Sequence, residues 1–213
     1  MNELIGMITN KIPFPREYHN FADQRSFLGI PNTMDVISNI AILIPALYLL
    51  QVRKKKSTMS NLLILHLVLL SVASSYYHWN PSDDTILWDI LMIAVTVMLV
   101  AIMISDTDYG FLLYGLSILS ILYWKYSGDL RLYILILMGV PLYIVIKYCK
   151  NSGLRNYLVI LVIANILLRL AEHNDHLIYE FTGNRISGHT LKHIFAGLVI
   201  GSVIKILQKV NKI

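Results

Sequence analysis

Residues 85–105 read TILWDILMIAVTVMLVAIMIS, with Asp89 the one ionisable side chain among them. A helix rises 1.5 Å per residue, so a run of this length crosses the ~30 Å hydrocarbon core of a bilayer. Working outward, six more apolar runs flank it, at roughly 33–52, 59–78, 109–124, 131–149, 156–173 and 188–208. The run at 109–124 is the shortest. Gly and Pro fall mainly at the edges of these runs, and Pro45 and Pro141 lie inside them as expected kinks. The reading predicts an all-α membrane protein, a bundle of seven transmembrane helices. It forms one domain over residues 1–213, with 1–32 as an N-terminal segment outside the membrane.

Composition agrees. Of 213 residues 56% are hydrophobic and only 15% charged, and the mean hydropathy is +0.60. The opening MNELIGMITNKI has an early acid, no long apolar centre and no small-residue cleavage site. It does not read as a secretory signal, and the first span is expected to serve as its own insertion signal. A single cysteine, Cys149, excludes an intramolecular disulfide framework and a cysteine-rich metal site; an inert thiol is expected.

The net charge of +5 would suit nucleic acid or an acidic partner, but its distribution points to topology instead. Arg53, Lys54, Lys55 and Lys56 follow the first run, Lys147, Lys150 and Arg155 separate the fifth and sixth, and Lys205, Lys209 and Lys212 end the chain. Seven crossings put all of these on one side. Lys11, Arg16, Arg25, Lys125, Arg131, Arg185 and Lys192 fall on the other, several of them far from a span end or inside a span. The positive-inside rule then sets the N-terminus outside and the C-terminus in the cytoplasm. No nucleic acid or protein partner is implied.

Ionisable groups inside a membrane mark functional sites. Ser74 and His78 are spaced i, i+4 and share a helical face. NPSDD (80–84) is a polar turn in which Ser82 or Asp83 can cap the next helix. Asp83 and Asp84 suit a solvated helix start, whereas Asp89 lies inside the helix. In SGHTLKHIFAG, His189 and His193 have HxxxH spacing, which sets two imidazoles one turn apart. That geometry serves metal sites, though it also arises by chance or for packing. Helical rise brings His78, Asp89, His189 and His193 within roughly 10 Å of one membrane face. Three imidazoles at one level suit zinc with an open position for water, and Mg²⁺ poorly. In RLAEHNDHLIYE, Glu172, His173, Asp175 and His176 read either as a second metal cluster or as a polar helix end with Arg169 paired to Glu172 or Asp175. The second reading is preferred. His66 is expected to form a hydrogen bond within the bundle.

With these residues the chain resembles the alkaline ceramidase family, within the superfamily of seven-span membrane hydrolases that includes the adiponectin-receptor group. The family pattern sets a serine four residues before a histidine, an aspartate eleven after it, and HxxxH in the last span. Ser74, His78, Asp89, His189 and His193 reproduce it. The resemblance covers most of the chain, from IPNTMDVISN onward. It implies zinc held by His78, His189 and His193, with Asp89 on the metal's water and Ser74 near the developing oxyanion. It also implies calcium in the N-terminal segment; here Asn20, Asp23 and Asn32 are available, fewer acids than such a site uses. Short loops and tails resemble a bacterial branch, which implies the bacterial inner membrane.

The chemistry expected from the residues agrees with the resemblance. A three-histidine zinc lowers the pKa of bound water to near 7, Asp89 accepts its proton, and Ser74 helps stabilise an oxyanion. A membrane lipid is the expected partner, and a ceramide-type amide fits, with its head at the surface and its tails in a greasy channel. An ester-cleaving lipid hydrolase, a non-catalytic seven-span receptor with a zinc site, and a transporter are the alternatives. A structural site needs neither Ser74 nor Asp89, and no repeat relates the two halves, as many transporters show.

Overall fold

The computed structural model describes residues 10–14, 16–53 and 57–213, apart from the side chains of Arg16 and Glu17. Lys54, Lys55 and Lys56, used above for topology, and residues 1–9 of the opening stretch lie outside the described residues. Among the described residues the regular elements are helical. They are α1 (Thr33–Ile37), α2 (Ile40–Val52), α3 (Thr58–Trp79), α4 (Asp83–Ser105), α5 (Gly110–Ser127), α6 (Arg131–Tyr148), α7 (Arg155–His173), α8 (Asp175–Phe181) and α9 (Gly188–Lys209). Short 3-10 turns, Arg16–His19 and Ser152–Leu154, precede α1 and α7.

Six stretches are long and apolar enough to cross a membrane: Thr33–Val52, α3, α4, α6, Ser152–His173 and α9. α5 has the length of a short span but is diluted by Gly115, Ser117, Ser120, two tyrosines near its end and Lys125. Its course is nonetheless that of the other long helices. Leu113 and Tyr114 near its start pack on the apolar cluster around Leu49, Leu63, Ile104 and Ile206. Ile121 and Trp124 near its end join Phe21, Tyr77 and Ile86 in a second cluster. Those clusters mark the two ends of the bundle, and neighbouring long helices run between them in alternate directions.

Helix starts are fixed by three serines. Ser57, Ser82 and Ser187 accept the backbone N–H three residues on, at 3.1, 3.2 and 2.9 Å, which removes an orphan donor at a typical gain of ~1 kcal/mol each. Ser82 and Thr85 form a reciprocal capping box. Ser82, one of the two candidates from the sequence, is therefore the cap that sets where α4 begins. Pro45 and Pro141 lie inside α2 and α6 as expected. Leu135, Met138, Leu142 and Ile146 of α6, and Ile163, Ile166 and Leu170 of α7, are exposed. Such apolar belts on mid-helix surfaces belong against lipid tails. α9 packs most extensively on α7 and also on α2, while α6 touches α7 only slightly.

Candidate metal centre

His78 lies in the last turn of α3, and His189 and His193 in the first two turns of α9. All three are buried. Each offers a nitrogen, and these atoms lie within 4.8 Å of one another. Among the described residues this is the group of potential ligands that converges in this way.

Hydrogen bonding tests whether a metal fits. Both ring nitrogens of His78, Nε2 of His189 and Nε2 of His193 are buried without a hydrogen-bond partner. A buried unpaired polar atom costs about 1–3 kcal/mol, so four together are tolerable only if something else binds them. His193 shows how the free nitrogen is assigned. The Ser38 hydroxyl donates to Asp35 O (3.1 Å) and so accepts from His193 Nδ1–H (2.7 Å), which leaves the Nε2 lone pair open. The buried three-histidine cluster can bind a metal ion.

The start of α9 is pinned by two acids. Asp175 Oδ1 accepts from His189 N–H (2.7 Å), and its Oδ2 accepts from Ala22 N–H (2.9 Å). Asp35 Oδ1 accepts from the Ser187 and Thr190 hydroxyls (3.0 and 2.8 Å). Gly188 is required here: a Cβ on it would lie 2.1 Å from Ala171 O and 2.7 Å from Asp175 Cα. The positioning roles of Asp35, Ser38 and Gly188 escaped sequence reasoning. Asp35 offered the one signal, an acid at the head of an apolar run.

Ser74 and Asp89 are buried and face one another between α3 and α4, and Asp89 Oδ1 has no partner. Both line a cavity of about 340 Å³ together with His193. Its walls are largely apolar: Ile90, Ile93, Leu137, Leu168 and Val199 are among them. Thr96, Val97, Pro141, Val199 and Ile200 also line a second, apolar cavity of about 80 Å³ deeper in the bundle. The arrangement puts one histidine of the cluster, a carboxylate and a hydroxyl on the wall of one largely apolar cavity.

The calcium candidates have three separate partners. Asn20 Oδ1 accepts from Gln24 Nε2 (3.1 Å), and Asn32 Nδ2 donates to His78 O (2.8 Å). Asp23 is held by Arg25, whose Nε and Nη2 donate to its two oxygens at 2.8 and 2.5 Å. Burial alone would raise the Asp23 pKa, but these hydrogen bonds and the guanidinium charge hold it below the usual carboxylate range. Arg25 Nη2 also donates to Arg185 O (2.8 Å), so a guanidinium supplies the positive charge at this point.

Glu172, His173, Asp175 and His176 do not form one cluster. Glu172 pairs with Arg169 (3.1 Å), as expected, and also with Lys192 (3.1 Å). His173 and His176 are exposed, and His176 Nε2 contacts Asn20 O at 3.0 Å. His66 bridges Leu62 O and the Tyr114 hydroxyl, both at 2.7 Å, inside the bundle. Cys149 is a free, exposed thiol. Compared with known proteins, the chain matches no family model, no curated protein and no solved structure.

Proposed function

We propose that this protein is a zinc-dependent amidase of the membrane surface that hydrolyses ceramide-type N-acyl lipids to a fatty acid and a free amine. One observation carries the reading: His193, whose Nε2 is unpaired, lines one largely apolar cavity together with the buried Asp89 and Ser74. Three neutral histidines and no cysteine favour zinc over harder ions. Bound there, zinc would polarise the carbonyl and lower the pKa of a water molecule to near 7.

The chain's own groups supply the remaining steps. The unpaired Asp89 oxygen takes a proton from the attacking water as its oxygen bonds to the acyl carbon. The Ser74 hydroxyl, which faces Asp89 in the resting site, turns to donate to the carbonyl oxygen as negative charge develops there. Asp89 then returns its proton to the nitrogen as the C–N bond breaks. The apolar walls hold the acyl chain and keep bulk water out.

Orientation belongs to the same proposal. The course of α5 alongside the other long helices supports a seventh crossing, with the N-terminus outside and the C-terminus in the cytoplasm of a bacterial inner membrane. The histidine cluster then opens to the outer surface. The test is to incubate purified, zinc-loaded protein with N-acyl lipids and their ester counterparts and to identify released acids and amines by mass spectrometry. Fatty acid and sphingoid base from ceramide-type amides are expected. Release from esters alone, or from neither, overturns the amidase reading.

A further inference from the structure

A second polar group lines the same cavity and takes no part in the steps above. Tyr18, Arg169, Glu172 and Lys192 all contribute to the cavity wall. Glu172 Oε1 accepts from the Tyr18 hydroxyl (2.5 Å) and from Lys192 Nζ (3.1 Å), and Lys192 Nζ also lies 3.0 Å from the Tyr18 oxygen. Arg169 Nη1 donates to Glu172 Oε2 at 3.1 Å. Two cations thus share one carboxylate within this group, and Asp89 lines the same cavity as a second acid. The group is well sheltered: the side chains of Lys192 and Glu172 are 12% and 18% exposed, that of Arg169 41%.

Ionisable groups at this depth are costly and persist where they meet a ligand or a partner. Both cations reach the cavity wall with donors to spare. Lys192 has a third N–H beyond its two contacts, and Arg169 has donors beyond the one that reaches Glu172. Lys192 sits between His189 and His193 in sequence and within one helical turn of both. It therefore lies at the level of the histidine cluster, where the head of a lipid would be, and not along the channel for its tail. Phosphate, sulfonate and carboxylate are the groups that such a pair of donors binds best.

We propose that Arg169 and Lys192, braced by Glu172 and Tyr18, form an anion subsite, and that the preferred N-acyl lipids carry a negative group on the amine side of the scissile bond. The cleavage step rests on the amidase reading, but the binding step does not.

Binding and turnover are therefore measured separately. For binding, zinc-loaded protein in detergent is titrated by calorimetry with N-(hexadecylsulfonyl)glycine and with its uncharged primary amide, neither of which an amidase can cleave at the sulfonyl group. The acid is expected to bind roughly tenfold or more tightly, the range for a hydrogen bond to a charged group. Lys192→Met and, separately, Arg169→Gln should bring that ratio close to one with zinc content unchanged, whereas Lys192→Arg should keep it. Equal or tighter binding of the uncharged amide to the wild-type protein overturns the subsite, and so does a ratio unmoved in both neutralising variants.

For turnover, N-palmitoylglycine is paired with its glycinamide, and ceramide 1-phosphate with ceramide. Preference for the charged member in one pair identifies carboxylate or phosphate as the natural group, and preference in both supports a general anion site. Cleavage with no preference in either pair overturns the substrate assignment. If no lipid is cleaved yet the acid still binds selectively, the amidase reading falls and the anion subsite stands.

Discussion

The two ends of the bundle are built on opposite terms. At the end where α2 and α9 finish, Leu49, Leu63, Ile104, Ile206 and Leu207 pack with almost no exposure. Three lysines there find partners: Lys147 Nζ donates to Ile104 O at 2.7 Å, Lys205 meets the Tyr48 hydroxyl, and Lys212 pairs with Asp106. At the other end, His78, Asp89, His189, His193, Asp35 and Asn39 all carry buried polar atoms with no partner. Native interiors leave few such atoms unpaired. They concentrate at one end, where a metal ion could complete part of the set, while the other end supplies the packing that holds the helices together.

The most severe break of this contrast is a histidine substitution. Purified wild-type protein should carry about one zinc per chain, as a three-histidine site requires, and His189→Ala or His193→Ala should reduce it to near zero by elemental analysis. Full zinc in either variant would remove HxxxH as the ligand pair.

Asp89→Asn separates metal binding from proton transfer. It should keep zinc, because three histidines remain, and lose ~10²–10⁴-fold in turnover, the usual worth of a general base. Zinc content and lipid hydrolysis measured on one preparation decide between base and ligand. Ser74→Ala should also keep zinc and slow turnover by on the order of 10²-fold, the loss of one oxyanion donor.

Leu207→Ala probes the opposite end. A buried leucine cut to alanine typically costs ~2–5 kcal/mol of stability. The thermal midpoint should drop while zinc per folded chain stays the same. Loss of zinc from chains that remain folded would show that the two ends are not separable.

The smallest effect concerns Asp23. Its folded pKa is depressed, so its pairing with Arg25 stabilises the N-terminal segment above the unfolded value of ~3.9. That stabilisation is lost as pH falls through the lower folded value. Hydrogen exchange at the Arg25 amide, which donates to Asp23 Oδ1, should therefore stay protected, after correction for intrinsic rates, down to about pH 4 and rise below it. Protection lost already between pH 7 and 5 would assign the docking to another group.

Much of this contrast was legible in the chain itself. The apolar runs reappear as long helices because length and hydropathy together decide which segments can span a bilayer, and α5, as long as α6, fell short of the others in hydropathy. His78, Asp89, His189 and His193 could be brought to one level by counting helical rise. The supports were harder to read. Asp35 and Asp175 act on α9 across separations of 152 and 14 residues, contacts that periodicity does not encode. The Tyr18–Glu172–Lys192 group joins residues from the N-terminal segment, α7 and α9, and only the Arg169–Glu172 pair, three residues apart on one helix, was within reach of pattern. Calcium ligands were sought by residue type, and type could not reveal that Arg25 already neutralises Asp23.

The stretch around Phe21 lies directly over two of the histidines. Phe21 is 2% exposed, its ring centroid 4.7 Å from those of His78 and His189, while Ala22 and Asn32 fasten the chain that follows it. A bound ion leaving past Phe21 would need this strap to lift. Stripping the metal by that route would run on the clock of the local opening: its rate climbs with chelator at first, then levels off, however much more is added.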